Sequence, residues 1–421
     1  MVPIHNKNSD SVNCQHLENR RKIFVIFFGY IIYVYNKKSL IPLFTELIGE
    51  FDLSEQDVGF ITSAQQVSIS VVTFLGGILT DHLPSTFLFS FGLLITGIST
   101  LFFPSGKNVY HFAAVWLLNG VGHGLELPTA LWLTKQFSTK DTFASNWSFV
   151  MTAVNIAGVI TPTWSTFLSN NLGWKMALYI SGTLTFATGL VILFYFNKEP
   201  SFKTNRYIEN RKTEIKLRLL DLFIYLPPLW IVIINRFVVS LYRLSINNWS
   251  QLFFASFHQF KINNNQYLSS VFITVFESSS IFGKLLAALA VRLPIAMCLH
   301  LISAFALILY CNLLLTTKNI TIFIFIAIIA GISSAGNVIT LSVLSTEIGN
   351  KKYQGLVTSL CNLATKLGAF CSGYPFTLIA FSIGWHGTFT LLAAIVVLTL
   401  IFDMIFYVRY NTQSPVGDKI E

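Results

Sequence analysis

Four cations lie where the chain is otherwise apolar. Lys37 and Lys38 sit in GYIIYVYNKKSLIPLFTEL, Arg243 in SLYRLSINNWSQLFF and Lys366 in NLATKLGAFCSGYPF. An ionisable side chain at bilayer depth is costly unless it faces a wet cavity or a partner. Each is therefore a binding-site candidate. Lys37, Lys38 and Arg243 fall in the first apolar stretch of each half of the chain, so they occupy corresponding places. Cations facing each other across a pseudo-twofold axis would clamp an anion. Phosphate is the natural guest, because several donors wrap its oxygens. The plainer alternatives are that a lysine of the pair snorkels to an interface and that Lys366 pairs with Glu126 or Glu277. Arg236, nearer the start of its stretch, reads as structural.

Glu126, Glu277 and Glu347 are the acidic counterparts. A buried Glu in a transporter carries a coupling proton or pairs permanently with a cation, and pairing is the commoner outcome. His123 lies one turn from Glu126, as a proton site or as a packed neutral ring. The His and acid spacings suit no zinc or two-metal site. No P-loop, Ser-His-Asp cue or Rossmann fingerprint appears. No catalytic constellation, metal or cofactor is expected, and an enzyme is excluded on that ground.

The elements that must position these groups follow from composition. Of 421 residues, 53% are hydrophobic and 11% charged, with Phe alone contributing 39 and mean hydropathy +0.62. A soluble chain carries about 25% charged residues. The balance excludes a disordered protein, a nucleic-acid binder and an ordinary cytosolic enzyme, and it points to a polytopic protein solvated by a lipid bilayer. The net charge of +9 then reads as topology. Apolar stretches recur near 22–44, 56–80, 86–104, 110–134, 144–170, 174–196, 223–254, 266–292, 294–316, 320–346, 352–380 and 386–409. Each is near or above the roughly 20 residues of a spanning helix. The expectation is an all-α membrane protein of twelve transmembrane helices in two six-helix halves. The halves are 22–196 and 223–409, joined by the hydrophilic linker 197–222 and flanked by tails 1–21 and 410–421. The first tail has no apolar core, so no cleaved signal peptide is expected. Most loop cations, including Arg20, Arg21, Lys135, Lys140, Lys351 and Lys352, fall on the side of the two termini. Only Lys107, Lys175, Lys261 and Lys318 fall opposite. The positive-inside rule places both termini in the cytosol. The five Cys read as free thiols.

The turn GGILTDHL (76–83) is similar to the signature loop of the major facilitator superfamily. More specific are VGFITSAQQ (58–66), WLLNGVGHGL (116–125), NIAGVITP (155–162), NNLGWKMALYISG (170–182) and LGAFCSGYPFTLIA (367–380). These resemble the organophosphate:phosphate antiporters, above all the branch that carries glucose 6-phosphate across the endoplasmic reticulum membrane, and the likeness runs from about residue 22 to 407. The resemblance implies the major facilitator fold, alternating access, and exchange of a sugar phosphate for inorganic phosphate. It implies one binding cation from helix 1 and one from helix 7. The helix 1 motif Tyr-x-x-Asn-Arg-Lys looks like Tyr33-Val34-Tyr35-Asn36-Lys37-Lys38, and Arg243 stands six residues before Trp249 as the family cation does. Asn155 matches the asparagine of the Asn-x-x-Gly segment, and Glu277 an acidic position in span 8. Three departures stand out. Lys37 replaces the family arginine and loses its planar fork. Thr73 stands where the family has a lysine. Glu126 adds a carboxylate to a glycine-rich stretch. Lys366, where the family has an asparagine, is expected to restore the charge lost at Thr73 or to neutralise Glu126.

Three functions remain open at this point. The first is a phosphate-linked antiporter of an internal membrane. Its phosphate would be held by Lys37, Lys38 and Arg243, and its sugar hydroxyls by Asn36, Asn155 and Asn247. The second is a proton-coupled symporter of a sugar or organic anion using Glu126 or Glu277. The third is a non-transporting sensor or scaffold. In none of them is nucleic acid a partner.

Overall fold

In the computed structural model the chain is described over residues 7–139, 141–197, 227–255, 262–289, 293–316, 320–348 and 350–413. Most of the expected linker and the last residues, 414–421, lie outside the described residues. Every regular element described is helical. In chain order these are α1 (Lys7–Lys38), α2 (Phe44–Phe51), α3 (Glu55–His82), α4 (Ser85–Phe102), α5 (Val109–Gln136), α6 (Phe143–Leu172) and α7 (Trp174–Asn197). There follow α8 (Pro227–Ala255), α9 (Ile262–Leu289), α10 (Leu293–Thr316), α11 (Ile320–Ile348), α12 (Asn350–Cys371) and α13 (Tyr374–Gln413). Setting aside the short α2, the long helices match the twelve expected spans. Within α1, α3, α4, α7, α8, α9, α11 and α13, 8 stretches are long and apolar enough to cross a membrane. Of the others, α5, α6 and α12 are made less apolar by the groups of interest, His123 and Glu126, Asn155, and Lys366.

Local chemistry sets the helix ends. Ser54 and Asp57 form a reciprocal cap at the start of α3. The Ser54 N–H donates to Asp57 Oδ2 at 2.9 Å and the Asp57 N–H donates to Ser54 Oγ at 3.2 Å, closing two orphan donors of the first turn. Asn108 caps α5 by accepting the His111 N–H at 2.8 Å, an interaction worth about 1 kcal/mol. Gly173 (φ 85°) ends α6 immediately before Trp174, and Gly384 (φ 74°) breaks α13 immediately before Trp385. A side chain at either φ would be strained. The stretch of α13 before Gly384 completes the span that α12 begins, and the stretch after it is the last span.

The contacts divide the chain into two compact units, residues 1–43 with 64–202, and residues 44–63 with 203–421. In the first, α4 packs on α5 and α7, and α1 on α6. In the second, α10 packs on α11 and α13, and α8 on α12. These are the same pairings displaced by six spans, the signature of parallel repeats. In the first unit α4 and α5 approach closely. A Cβ added to Gly122 would lie 2.5 Å from the Gly92 carbonyl oxygen, so only glycine permits this backbone contact.

The core of the second unit is aromatic. Phe253, Tyr310 and Phe389 pack with ring centroids 4.6–5.3 Å apart, and Trp385 joins Trp249 at 5.7 Å. Residues 44–63 belong to this core. Phe44 stacks on Trp249, Glu55 accepts the Trp385 indole N–H at 2.7 Å, and the Ser63 hydroxyl accepts the Tyr374 N–H at 2.7 Å.

Candidate functional site

In the first unit, α1 delivers Asn36, Lys37 and Lys38 in its last turn. Its end is set by Ser39, whose hydroxyl donates to the Asn36 carbonyl at 2.8 Å. Asn36 is fully buried. Its Nδ2 donates to Thr100 Oγ1 at 3.0 Å on α4 and to Thr185 Oγ1 at 3.1 Å on α7, with Ser181 Oγ at 3.4 Å. Its Oδ1 accepts Asn119 Nδ2 of α5 at 3.1 Å, and Asn119 Oδ1 in turn accepts Gln65 Nε2 of α3 at 2.8 Å. One amide therefore ties α1 to α4, α5, α7 and, through Asn119, α3. Buried polar groups that are satisfied in this way hold a unique arrangement, and the arrangement held is that of the two following lysines. Both lysines are half-buried. Lys37 makes no ion pair with a described carboxylate.

Next to this turn lies a buried acid–imidazole pair on α5. His123 Nδ1 is 3.4 Å from Glu126 Oε2, with side chains 0% and 7% exposed. Tyr30 of α1 lies within reach of the Glu126 carboxylate. Tyr33 closes the cluster, donating its hydroxyl to the Phe89 carbonyl at 2.9 Å while its ring lies 5.6 Å from the imidazole. The structure thus brings His123 and Glu126 together, beside Tyr33 of α1. Asn155 is buried on α6. Thr73, at the position of the missing family lysine, turns its hydroxyl back to the Ile69 carbonyl at 2.6 Å.

In the second unit, Arg243 on α8 pairs with Glu277 on α9, Nη2 to Oε2 at 3.0 Å. The guanidinium lies over the Phe276 ring, its Cζ 5.6 Å from the centroid, a favourable position for a delocalised cation. Nη1 is buried and has no hydrogen-bond partner among the described residues. One turn on, Asn247 is buried and donates Nδ2 to the Arg243 carbonyl at 3.1 Å. Lys366 on α12 is half-buried. The helix that carries it lies close to α8, where Ser240 donates to the Thr365 carbonyl at 2.8 Å. Arg236 is partly buried with Nε unpartnered. The side chain of Glu347 lies outside the description.

Two polar constellations were not legible from motifs. The first is the Asn36–Asn119–Gln65 hub. Its members are neutral, and only their depth in apolar helices sets them apart. The second is a cluster of Asn235, His300 and Asp403 in the second unit. Asn235 Nδ2 donates to both Asp403 oxygens at 2.8 and 3.0 Å, and His300 Nδ1 lies 3.9 Å from Oδ2. Asp403 is an acid inside the apolar run LTLIFDMIFY, so the rule that singled out Arg243 and Lys366 also applies to it.

The chain was compared with known proteins. A hexose phosphate transport protein of Chlamydia muridarum, described as probable, is 25% identical over 418 residues, covering 91% of this chain and 89% of its own. The membrane sensor protein UhpC of Salmonella typhimurium is 21% identical over 426 residues, covering 94% of this chain and 92% of its own. Among solved structures, a point mutant of the nucleoside transporter NupG superposes with a TM-score of 0.75 at 15% identity, covering 91% of this chain and 99% of that one. The relatives and neighbours are transporters or a membrane sensor, not enzymes. The all-helical, twice-repeated architecture agrees with the match of residues 26–372 to the family model described as Major Facilitator Superfamily. On that match the chain belongs to the Major Facilitator Superfamily.

Proposed function

We propose that this integral membrane protein exchanges a hexose phosphate such as glucose 6-phosphate for inorganic phosphate by alternating access. The observation that carries the reading is the state of Arg243. Glu277 holds one edge of the guanidinium, and Nη1 is left buried without an acceptor. A phosphate oxygen would supply that acceptor through a charge-assisted bond. Lys37 and Lys38 would supply cations from the other half, and Lys366 would add a fourth. Asn155 and Asn247 would serve the sugar hydroxyls, and Asn36 would act from behind by fixing the lysine turn.

Coupling follows from electrostatics. Moving uncompensated cations through a low-dielectric region is costly, so the empty protein would reorient slowly and the loaded one readily. That makes exchange faster than net flow. The proposed location is the endoplasmic reticulum membrane, with both termini in the cytosol in keeping with the loop charges.

The test is uptake of labelled glucose 6-phosphate into proteoliposomes, with and without internal phosphate. Uptake that requires internal phosphate supports exchange, and uptake driven by a pH gradient alone would replace it with proton symport. The likeness to a membrane sensor favours one further reading, in which the chain binds hexose phosphate without moving it. Saturable binding by purified protein that shows no uptake would establish that reading.

A further inference from the structure

We infer that Asp403, together with His300 and Asn235, forms a proton-binding site in the second unit, separate from the cations proposed to hold phosphate. The three residues come from α13, α10 and α8, and each lies within an apolar stretch of its helix. They are 2%, 0% and 1% exposed. Asp403 receives only the Asn235 amide. Both ring nitrogens of His300 and Oδ1 of Asn235 are buried with no hydrogen-bond partner among the described residues.

The charge count assigns the ligand. With a neutral imidazole and an ionised carboxylate, the cluster is a bare anion in an apolar setting, at a desolvation cost of several kcal/mol. One added proton removes that charge, whether it rests on the carboxylate or on the imidazole. It also gives the orphaned atoms a use, since the 3.9 Å gap between Nδ1 and Oδ2 closes to a hydrogen bond with a small rotation of either side chain.

Among the described residues no other charge does this work. The cations on α8 are Arg236 and Arg243, the latter held by Glu277. Neither forms an ion pair with Asp403. On α12, Lys366 is likewise not among the ion-pair partners of Asp403. On α10, His300 is the one described His, Lys, Arg, Asp or Glu. A metal ion is the poorer guest, because among the described residues no group of three His, Cys, Asp or Glu gathers here.

The consequence for transport rests on the exchange reading, whereas the proton site does not. A half that must shed or take a proton as it changes state links the flux of organic phosphate to pH. This gives the chain a coupling ion beside its anion.

The experiment is infrared titration of the purified full chain. The wild type is expected to show a protonated-carboxyl C=O band that is lost as pH rises and is absent in Asp403→Asn. A titration identical in the two proteins overturns the site, and so does an Asp403 band that does not change with pH. Should Asp403→Asn not fold, His300→Gln examines the same pair, because removing the alternative proton carrier must move the midpoint or the frequency of the band. An unchanged band there also overturns the site. In proteoliposomes the pH profile of glucose 6-phosphate/phosphate exchange is expected to flatten in Asp403→Asn, and an unaltered profile overturns the coupling. Failure of the wild type to transport any hexose phosphate would refute the exchange reading and leave the infrared result to decide the proton site.

Discussion

Arg243 gives Nη2 to Glu277 at 3.0 Å and keeps Nη1 buried without an acceptor. The carboxylate therefore does two things. It offsets the cost of placing a guanidinium in an apolar helix, and it turns the free edge in one direction. A cation left fully unpaired would be unstable there, and one paired on both edges would have nothing to offer a ligand.

Replacing Arg243 by Lys keeps the charge and removes the fork. The expected outcome is a loss of about one charge-assisted hydrogen bond, roughly 1.5–3 kcal/mol, or about 10- to 100-fold in the affinity for phosphate. Arg243→Ala should abolish exchange and leave Glu277 buried without its cation. Competition by inorganic phosphate against labelled glucose 6-phosphate uptake measures the first. Wild-type affinity in Arg243→Lys would refute the role given to Nη1.

Asn36 bridges four helices directly. Truncation to Ala leaves Thr100, Thr185 and Asn119 facing a void, at a cost of about 1–3 kcal/mol. Thermal unfolding in detergent should fall by several degrees. Thr185→Val removes one bond between helices, from Asn36, together with the hydroxyl's own bond to the Ser181 carbonyl, and the bond between helices should cost about 0.6 kcal/mol, the typical value for polar contacts between membrane helices. If Asn36→Ala unfolds at the wild-type temperature, the hub is not a stabilising element.

Glu126 places a carboxylate beside His123. A negative charge near a phosphate site repels the ligand. Glu126→Gln keeps the shape and removes the charge, so phosphate affinity should rise a few-fold, an effect of about 1 kcal/mol at an effective dielectric near 20. Equilibrium binding to the purified variant checks the sign. A fall in affinity would mean that the acid acts as a positioning group and not as a brake.

Gly122 carries the close contact of α5 with α4, where any Cβ meets the Gly92 carbonyl. Gly122→Val should force the helices apart at a cost of about 1–3 kcal/mol or more. The expected readout is a loss of the monodisperse fraction in size-exclusion chromatography, with Gly49→Ala, where a Cβ meets open space, as the matched control.

Much of the fold could be read from the chain because membrane spans are long and declare themselves by hydropathy. α4 and α11 are nearly free of charge, and even the less apolar α5 and α12 are bracketed by clear neighbours. The site was legible where expensive residue types marked it. Lys37, Arg243 and Glu126 stand out because charge at that depth needs a reason. What escaped were relations between distant residues of ordinary type. Nothing in Asn36 and Asn119, 83 positions apart, says that they meet. Asn36 looked like a ligand group by its place beside the lysines, yet every donor and acceptor on its amide is engaged within its own unit. Residues 44–63 follow the first span in the chain but are packed with the second unit, because Phe44 and Glu55 find Trp249 and Trp385 there. Hydropathy is blind to such choices.

The two positive-φ glycines stand at matching places, Gly173 before Trp174 and Gly384 before Trp385, each opening the final helix of its half. A left-handed glycine followed by an indole is a costly feature to arrive at twice by chance. It is the mark of a gene that doubled, so both halves descend from one six-helix ancestor that already ended in this elbow. On that genealogy the lysine pair of α1 and Arg243 of α8 stand on corresponding first helices of the two halves. Their difference in charge is the record of two copies that stopped being interchangeable.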